Sequence, residues 1–261
     1  MPALQGVGVL VTRPEQQAMP LCRLLEIQGA STLRLPAVEI RPIGNRRDTA
    51  AQLGALGEFD VIIFTSANAV RFGASLLEQK RDLTLAAIGP ATARALNLAG
   101  YRVAVQPPPR GTFDSETLLQ HPRLEHPAGC RILLIKGSNG RPYLEAELTR
   151  RGAQVVAADV YQRVPATPSH AVLAALLESF IAGAVQVITA TSVEIAGNLL
   201  GLATPALRDE FERVHWLVPG ERIAAGLRER GLRSPLVRAE SAEDHDLVAA
   251  LIRWRSSVSD A

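Results

Sequence analysis

Two cysteines, Cys22 and Cys130, are the only thiols in a chain of 261 residues. Two cannot build a disulfide framework, and neither belongs to a C-x-x-C pair, so both read as free, buried thiols of a reducing compartment. Aromatic residues make up only 4% of the sequence, which leaves Leu, Val, Ile and Ala to fill the core. Charge of one sign is also scarce: 28 basic against 26 acidic residues leave a net +2. That balance argues against a nucleic-acid-binding protein, which would usually show a basic stripe. His121, His126, His170, His215 and His245 stand in unrelated contexts, with no H-E-x-x-H or Cys/His spacing, so no metal is implied. No stretch of 18 apolar residues exists, so nothing is expected to span a membrane. The opening MPALQGVGVLVTRP has neither the basic start nor the apolar length of a secretory signal, and the expectation is a soluble, cytoplasmic protein. Nucleotide loops are missing too. The glycines of GVG at 6–8 precede a strand instead of following it, and KGSNGRP lacks the closing Gly-Lys-Ser/Thr of a P-loop.

What is present is a regular alternation. Apolar, β-branched runs at 7–12, 61–65, 84–88, 102–105, 131–136, 154–164, 185–190 and 214–218 read as strands. Between them, segments at 15–28, 67–79, 90–99, 114–120, 141–151, 168–182, 192–200, 220–230 and 242–254 carry helical spacing. Continuously apolar strands separated by helices predict an α/β fold with parallel sheets covered on both faces.

The sequence also repeats itself. Residues 6–42 lie on 129–165 without a gap: Gly6 falls on Gly129, Arg13 on Lys136, Leu21 on Leu144, Gly29-Ala30 on Gly152-Ala153 and Pro42 on Pro165. A second kind of block runs 59–120 and returns at 184–252, where FTSANAV is answered by ATSVEIA, and AAIGPATARALNLAGYRV by WLVPGERIAAGLRERGLR. Two copies of each, in the order first, second, first, second, indicate duplicated supersecondary units and two similar α/β domains with a cleft between them. A plain tandem would divide near 125. The long extended stretches 33–42 and 154–166, with Pro36, Pro42 and Pro165, instead suggest two connector strands, giving one domain of 1–36 plus 167–261 and another of 42–160.

Six strand-to-helix turns stand out: TRPE 12–15, TSAN 65–68, IGPAT 88–92, KGSNG 136–140, ATS 190–192 and VPGER 218–222. Unpaired N–H groups at a helix start are capped by Ser or Thr, and with the helix dipole they also bind carboxylates and phosphates. A cap alone accounts for any one such turn; six matched turns in two halves point to a shared anion site. Lys136 adds a cation to KGSNG. The acids Glu240, Glu243, Asp244 and Asp246 open the last helix, with Ser241 and Asp244 at capping-box spacing, and read as structural. The runs RRDTAAQLGAL and RERGLRSP read as solvated faces. Tyr161 occupies a connector position where the other copy has Val38. A phenol there is either an amphipathic side chain at a domain edge or a proton donor beside a cleft.

VLVTRPE, FTSANAV, AIGPATARAL, KGSNGRPYLEAELTRRGAQV followed by VYQR, TATS and VPGERIAAGLRERG resemble, in order and spacing, the bacterial uroporphyrinogen-III synthase family over nearly the whole chain. The resemblance implies two α/β domains joined by a two-stranded connector. It implies a cytoplasmic lyase of haem (porphyrin) biosynthesis that closes hydroxymethylbilane, a linear tetrapyrrole with eight carboxylates, while inverting the last pyrrole ring. The proposed route passes through an azafulvene and a spiro intermediate, without metal or organic cofactor. It implies Tyr161 as the group assisting hydroxyl departure. Substrate contacts would come from Arg13, Thr65, Ser66, Asn68, Gly89, Thr92, Lys136, Gly137, Ser138, Thr191, Ser192 and Arg222, although Arg222 replaces the hydroxyl of Thr92 in the second copy. A monomer is expected, in transient contact with the enzyme that supplies the bilane. The alternative is a hinge-type two-domain binding protein for a small anion.

Overall fold

The structure is a computed structural model and describes residues 2–44, 58–77, 83–108 and 112–259. RRDTAAQLGAL, at 46–56, lies outside them, as does the end of the helix expected over 67–79. The chain divides into two compact units: Met1–Glu39 with Val164–Ala261, and Ile40–Arg163.

The first unit holds a parallel sheet built from β1 (Gly8–Val11), β2 (Ser31–Arg34), β9 (Val187–Thr189), β10 (His215–Pro219) and β11 (Leu236–Ala239), in the spatial order β11-β10-β9-β1-β2. Helix α1 (Glu15–Ile27) and α11 (Asp244–Ser259) cover one face, where Leu21, Leu25, Leu247 and Leu251 pack on Val9 and Val11. Elsewhere in the unit, Phe180 of α7 (His170–Ile181), Phe211 of α9 (Pro205–Arg213) and Trp216 stack edge to face, at 5.5 and 6.0 Å. The indole of Trp216, fully buried, donates to the Phe211 carbonyl at 2.9 Å. Two helices follow β9 and β10: α8 (Val193–Leu202) and α10 (Gly220–Glu229).

The second unit's sheet runs β3-β8-β7-β4-β5-β6, from β3 (Val38–Pro42), β4 (Val61–Phe64), β5 (Leu85–Ala87), β6 (Val103–Val105), β7 (Arg131–Gly137) and β8 (Gln154–Pro165). Strands β4 to β8 pair in parallel. Alternate residues feed opposite faces, as a sheet covered on both sides requires: Ile62, Phe64, Leu133 and Ile135 pack in one cluster with α2 (Ala67–Gly73) and α3 (Pro90–Leu98), while Val61, Ile63, Ile132 and Leu134 pack in another with α4 (Ser115–Leu118), α5 (Pro122–Glu125) and α6 (Tyr143–Arg150). The chain leaves the first unit within β3 and returns within β8. The Ile43 amide donates to Val160 and the Ala166 amide to Ala37, so these two strands run antiparallel.

The repeat is physical. Gly6 and Gly129 share φ of 79° and 81°, and Gly29 and Gly152 share 87° and 89°, a left-handed conformation that favours glycine. The two sheet orders superpose strand for strand: β9, β10 and β11 stand for β4, β5 and β6, and β1 and β2 for β7 and β8. Each unit therefore combines one block of each kind.

Several elements differ from expectation. The helix after β4 is α-helical only to Gly73 and tightens into a 3-10 turn over Ala74–Leu77. Helix α9 was not expected; Thr204 caps it through the Leu207 amide, Pro205 starts it, and Leu207 and Phe211 supply its buried stripe. Strand β11 and short α5 were not expected either. Ser241 pairs with Asp246 at 2.6 Å and accepts from the Glu243 amide at 3.0 Å, so it does not form the capping box with Asp244. In RERGLRSP, at 228–235, Arg228 is held by the carbonyls of Leu232 and Ser234, at 2.7 and 2.9 Å.

Candidate functional site

In each sheet the strand order reverses once, between β4 and β7 in the second unit and between β9 and β1 in the first. Ligands of open parallel sheets bind outside the carboxyl ends of the strands at such a reversal. In the second unit those ends carry Thr65-Ser66 after β4 and Lys136-Gly137-Ser138 at the end of β7. The Thr65 amide donates to the Ile135 carbonyl at 3.2 Å, which holds the two turns together. Ser66, in extended conformation, caps α2 by accepting from the Ala69 amide at 2.9 Å.

Tyr161 joins this group by a break in register. Strands β7 and β8 pair residue for residue up to Lys136 with Asp159; the next pair is Gly137 with Tyr161. Val160 is the extra residue of a β-bulge. Val160 and Tyr161 consequently both pack against the cluster of Phe64 and Ile135, and Asp159 stays on the face of Lys136. Bulges re-aim side chains in this way beside functional sites. The phenol oxygen lies 3.1 Å from the Ser66 hydroxyl, the ring stacks on Phe72 at 6.0 Å, and the Tyr161 carbonyl accepts from the Ser138 amide at 3.0 Å.

Thr65, Lys136, Gly137 and Tyr161 line a cavity of about 290 Å³ together with Ile88, Asp114, Ser115, Leu134, Gly140, Arg141, Leu144 and Glu145. Lys136 sits 3.4 Å from Asp159 and 3.8 Å from Glu145, and Arg141 pairs with Glu116 at 2.6 Å. The Thr117 hydroxyl and amide, both donating to Asp114, hold that carboxyl below the usual carboxylate range. The cations of the wall are thus already matched by carboxylates. Gly89 lies close under Phe113, whose Cβ would stand 2.9 Å from a side chain there. Thr92 is buried in α3, and Asn68 is half-buried in α2.

In the first unit, Ser192 repeats the cap of Ser66, accepting from the Ile195 amide at 3.1 Å, with Thr191 half-buried before it. The neighbouring turn is closed by its own contacts. Thr12 and Thr189 are fully buried and bond each other's backbone, the Thr12 amide to the Thr189 hydroxyl at 3.2 Å. Arg13 is buried and donates to the Asp244 carboxylate and the Ala242 carbonyl at the start of α11. Arg222 is exposed on α10. Of the residues singled out in the sequence, Thr65, Ser66, Lys136, Gly137, Ser138 and Tyr161 are therefore brought into one contiguous group in the second unit. Asp114, Arg141, Glu145, Asp159 and Phe72 were missed; only Asp114 had a local signal, the cap position immediately before a helical turn. Among the described residues no group of three or more His, Cys, Asp or Glu could hold a metal ion, and no helix is long and apolar enough to cross a membrane.

Twinned parallel sheets, each with one serine-capped turn at its reversal and one with a phenol beside it, define a two-unit α/β protein. The profile of the family described as Uroporphyrinogen-III synthase HemD matches residues 20–249, and the chain belongs to that family. It is 33% identical to the uroporphyrinogen-III synthase of Escherichia coli K12 over 94% of this chain and 100% of that one. Identity to the synthase of Salmonella typhimurium LT2 is 32% over the same shares. The fold matches crystal structures of the Helicobacter pylori synthase, with a TM-score of 0.61 at 17% identity over 95% of this chain and 99% of that one, and of a Thermus thermophilus synthase mutant, at 0.55 and 22% over 98% and 100%.

Proposed function

We propose that the protein is a uroporphyrinogen-III synthase of tetrapyrrole biosynthesis, a lyase that dehydrates and cyclises hydroxymethylbilane. The observation that carries this reading is the phenol of Tyr161 at the wall of the cavity beside Lys136, 3.1 Å from the Ser66 hydroxyl. Tyr161 gives its proton to the departing hydroxyl as the terminal pyrrole pushes out water, leaving an azafulvene still protonated on nitrogen, a cation, and a phenolate. The substituted carbon of the last ring attacks the azafulvene carbon, and the spiro intermediate breaks and recloses with that ring inverted. Loss of a proton from the newly bonded carbon restores aromaticity, and the phenolate takes that proton back. Water is the only leaving product.

The free bilane closes unaided to the uninverted isomer, so the protein's task is chiefly positioning. In the second unit the donors to carboxylates are the Thr65 and Ser138 hydroxyls and the Gly89 and Gly137 amides, with Asn68 on the flanking helix α2; Thr191 and Ser192 carry hydroxyls at the matching turn of the first unit, where Arg222 is exposed on α10. Arg13, with its guanidinium committed to Asp244 and Ala242, acts as a brace of its turn. The enzyme works as a cytoplasmic monomer, without cofactor, and meets the bilane-forming enzyme only transiently. The test is product analysis: added to freshly made hydroxymethylbilane, the protein yields the III isomer, and the I isomer alone defeats the assignment.

A further inference from the structure

We propose that Ser66 is a positioning residue for the phenol of Tyr161, and that its hydroxyl follows the proton state of that phenol. A serine hydroxyl has one donor and two acceptor sites. Capping α2 uses one acceptor, on the Ala69 amide at 2.9 Å. The donor and the second acceptor remain, and the phenol oxygen stands 3.1 Å away. The hydroxyl can therefore accept from the neutral phenol and, by rotating, donate to the phenolate.

The internal repeat separates this from capping. Ser192 occupies the equivalent position and caps α8 in the same geometry, at 3.1 Å from the Ile195 amide. The repeat counterpart of Tyr161 is Val38, which has no hydroxyl to offer. Capping thus needs no phenol, and the second bond of Ser66 is a feature of the second unit alone. Three further features hold the ring there: the bulge at Val160, the stack on Phe72, and Gly137, where a Cβ would come within 2.6 Å of the ring. Without Ser66 the ring keeps its place but the oxygen loses its partner. A hydrogen bond that tightens onto a forming phenolate favours proton donation more than it favours substrate binding.

This inference rests on the reading of Tyr161 as the proton donor, and a double-mutant cycle tells the two apart. Ser66→Gly removes the hydroxyl while keeping most of the capping preference; Ser66→Thr restores it. In the wild-type background Ser66→Gly is expected to lower kcat by about tenfold, the worth of a hydrogen bond to a charged group, with KM unchanged within about twofold. In the Tyr161→Phe background the same change should cost less than about twofold, since the group it acts through is gone. Ser66→Thr should recover most of the rate. Equal loss in both backgrounds, or no recovery in Ser66→Thr, overturns the inference and leaves Ser66 a cap. Full turnover in Tyr161→Phe alone overturns the reading of Tyr161 and the inference with it.

Discussion

The ring of Tyr161 occupies the space that a side chain at Gly137 would need: an added Cβ would stand 2.6 Å from Cζ, 2.8 Å from Cε2 and 3.0 Å from the phenol oxygen. The two residues are paired across β7 and β8 by the bulge at Val160. The glycine is thus the floor on which the phenol lies.

Gly137→Ala should therefore push the ring aside and break its bond to Ser66. The obstructed atoms belong to a partly exposed side chain, so the fold should survive with a loss of about 1 kcal/mol. A displacement of that size at a reacting group costs on the order of 10²-fold in rate. The measurement is kcat for formation of the III isomer beside a urea unfolding curve. Full activity would show that the phenol's position does not matter.

Lys136 stands between two carboxylates, Asp159 at 3.4 Å and Glu145 at 3.8 Å, with its side chain 16% exposed. In Lys136→Met those carboxylates would be uncompensated and would repel a polyanionic substrate. The expected result is a KM raised about tenfold with kcat changed less than about threefold, the pattern of lost uniform binding. Salt screens such repulsion, so the gap from wild type should narrow as ionic strength rises. A fall in kcat with KM unchanged would place Lys136 in the chemistry instead.

These relationships show where sequence reading stops. The repeat and its blocks were legible because they are written in local signals: Gly6 and Gly129 in matching left-handed turns, Ser66 and Ser192 at matching helix starts. The α/β class followed from continuous apolar strands such as VIIF and RILLIK. Helix α9 escaped because PALRDEFER carries only two buried anchors, Leu207 and Phe211, between charges. Strand β11 escaped because LVRA is four residues long and takes its identity from pairing beside β10. The site was half-visible. Thr65, Ser66 and Lys136 sit at turns that can be read locally. The bulge and the bond between Ser66 and Tyr161, 95 residues apart, depend on register with another strand.

Arg13 and Asp244 tie the end of β1 to the start of α11, with side chains 10% and 23% exposed. Asp244→Ala would leave a buried guanidinium with the Ala242 carbonyl as the partner shown for it here. Removing one member of a buried pair costs up to 3–5 kcal/mol; with Asp244 partly exposed and one carbonyl retained, about 2 kcal/mol is expected. Urea unfolding gives the number, and a cost below about 0.5 kcal/mol would return Arg13 to the list of residues free to meet substrate.

Burial lowers the pKa of His215 from its ordinary 6.5. The imidazole packs against Trp254 with centroids 4.9 Å apart, an environment that disfavours its charged form. The sign follows from linkage: the unfolded chain binds the proton more readily than the folded one as pH falls past 6.5, so stability held above that pH is lost on acidification through the lowered folded value. His121 is shifted the same way, chiefly by burial and secondarily by Arg123. The His215→Asn variant removes one of these two contributions. Unfolding free energies at pH 7.5 and about pH 5 should therefore fall less steeply in the variant than in wild type, with the difference confined to the acidic side. Parallel pH profiles would mean that His215 takes up its proton in the folded chain as readily as in the unfolded one.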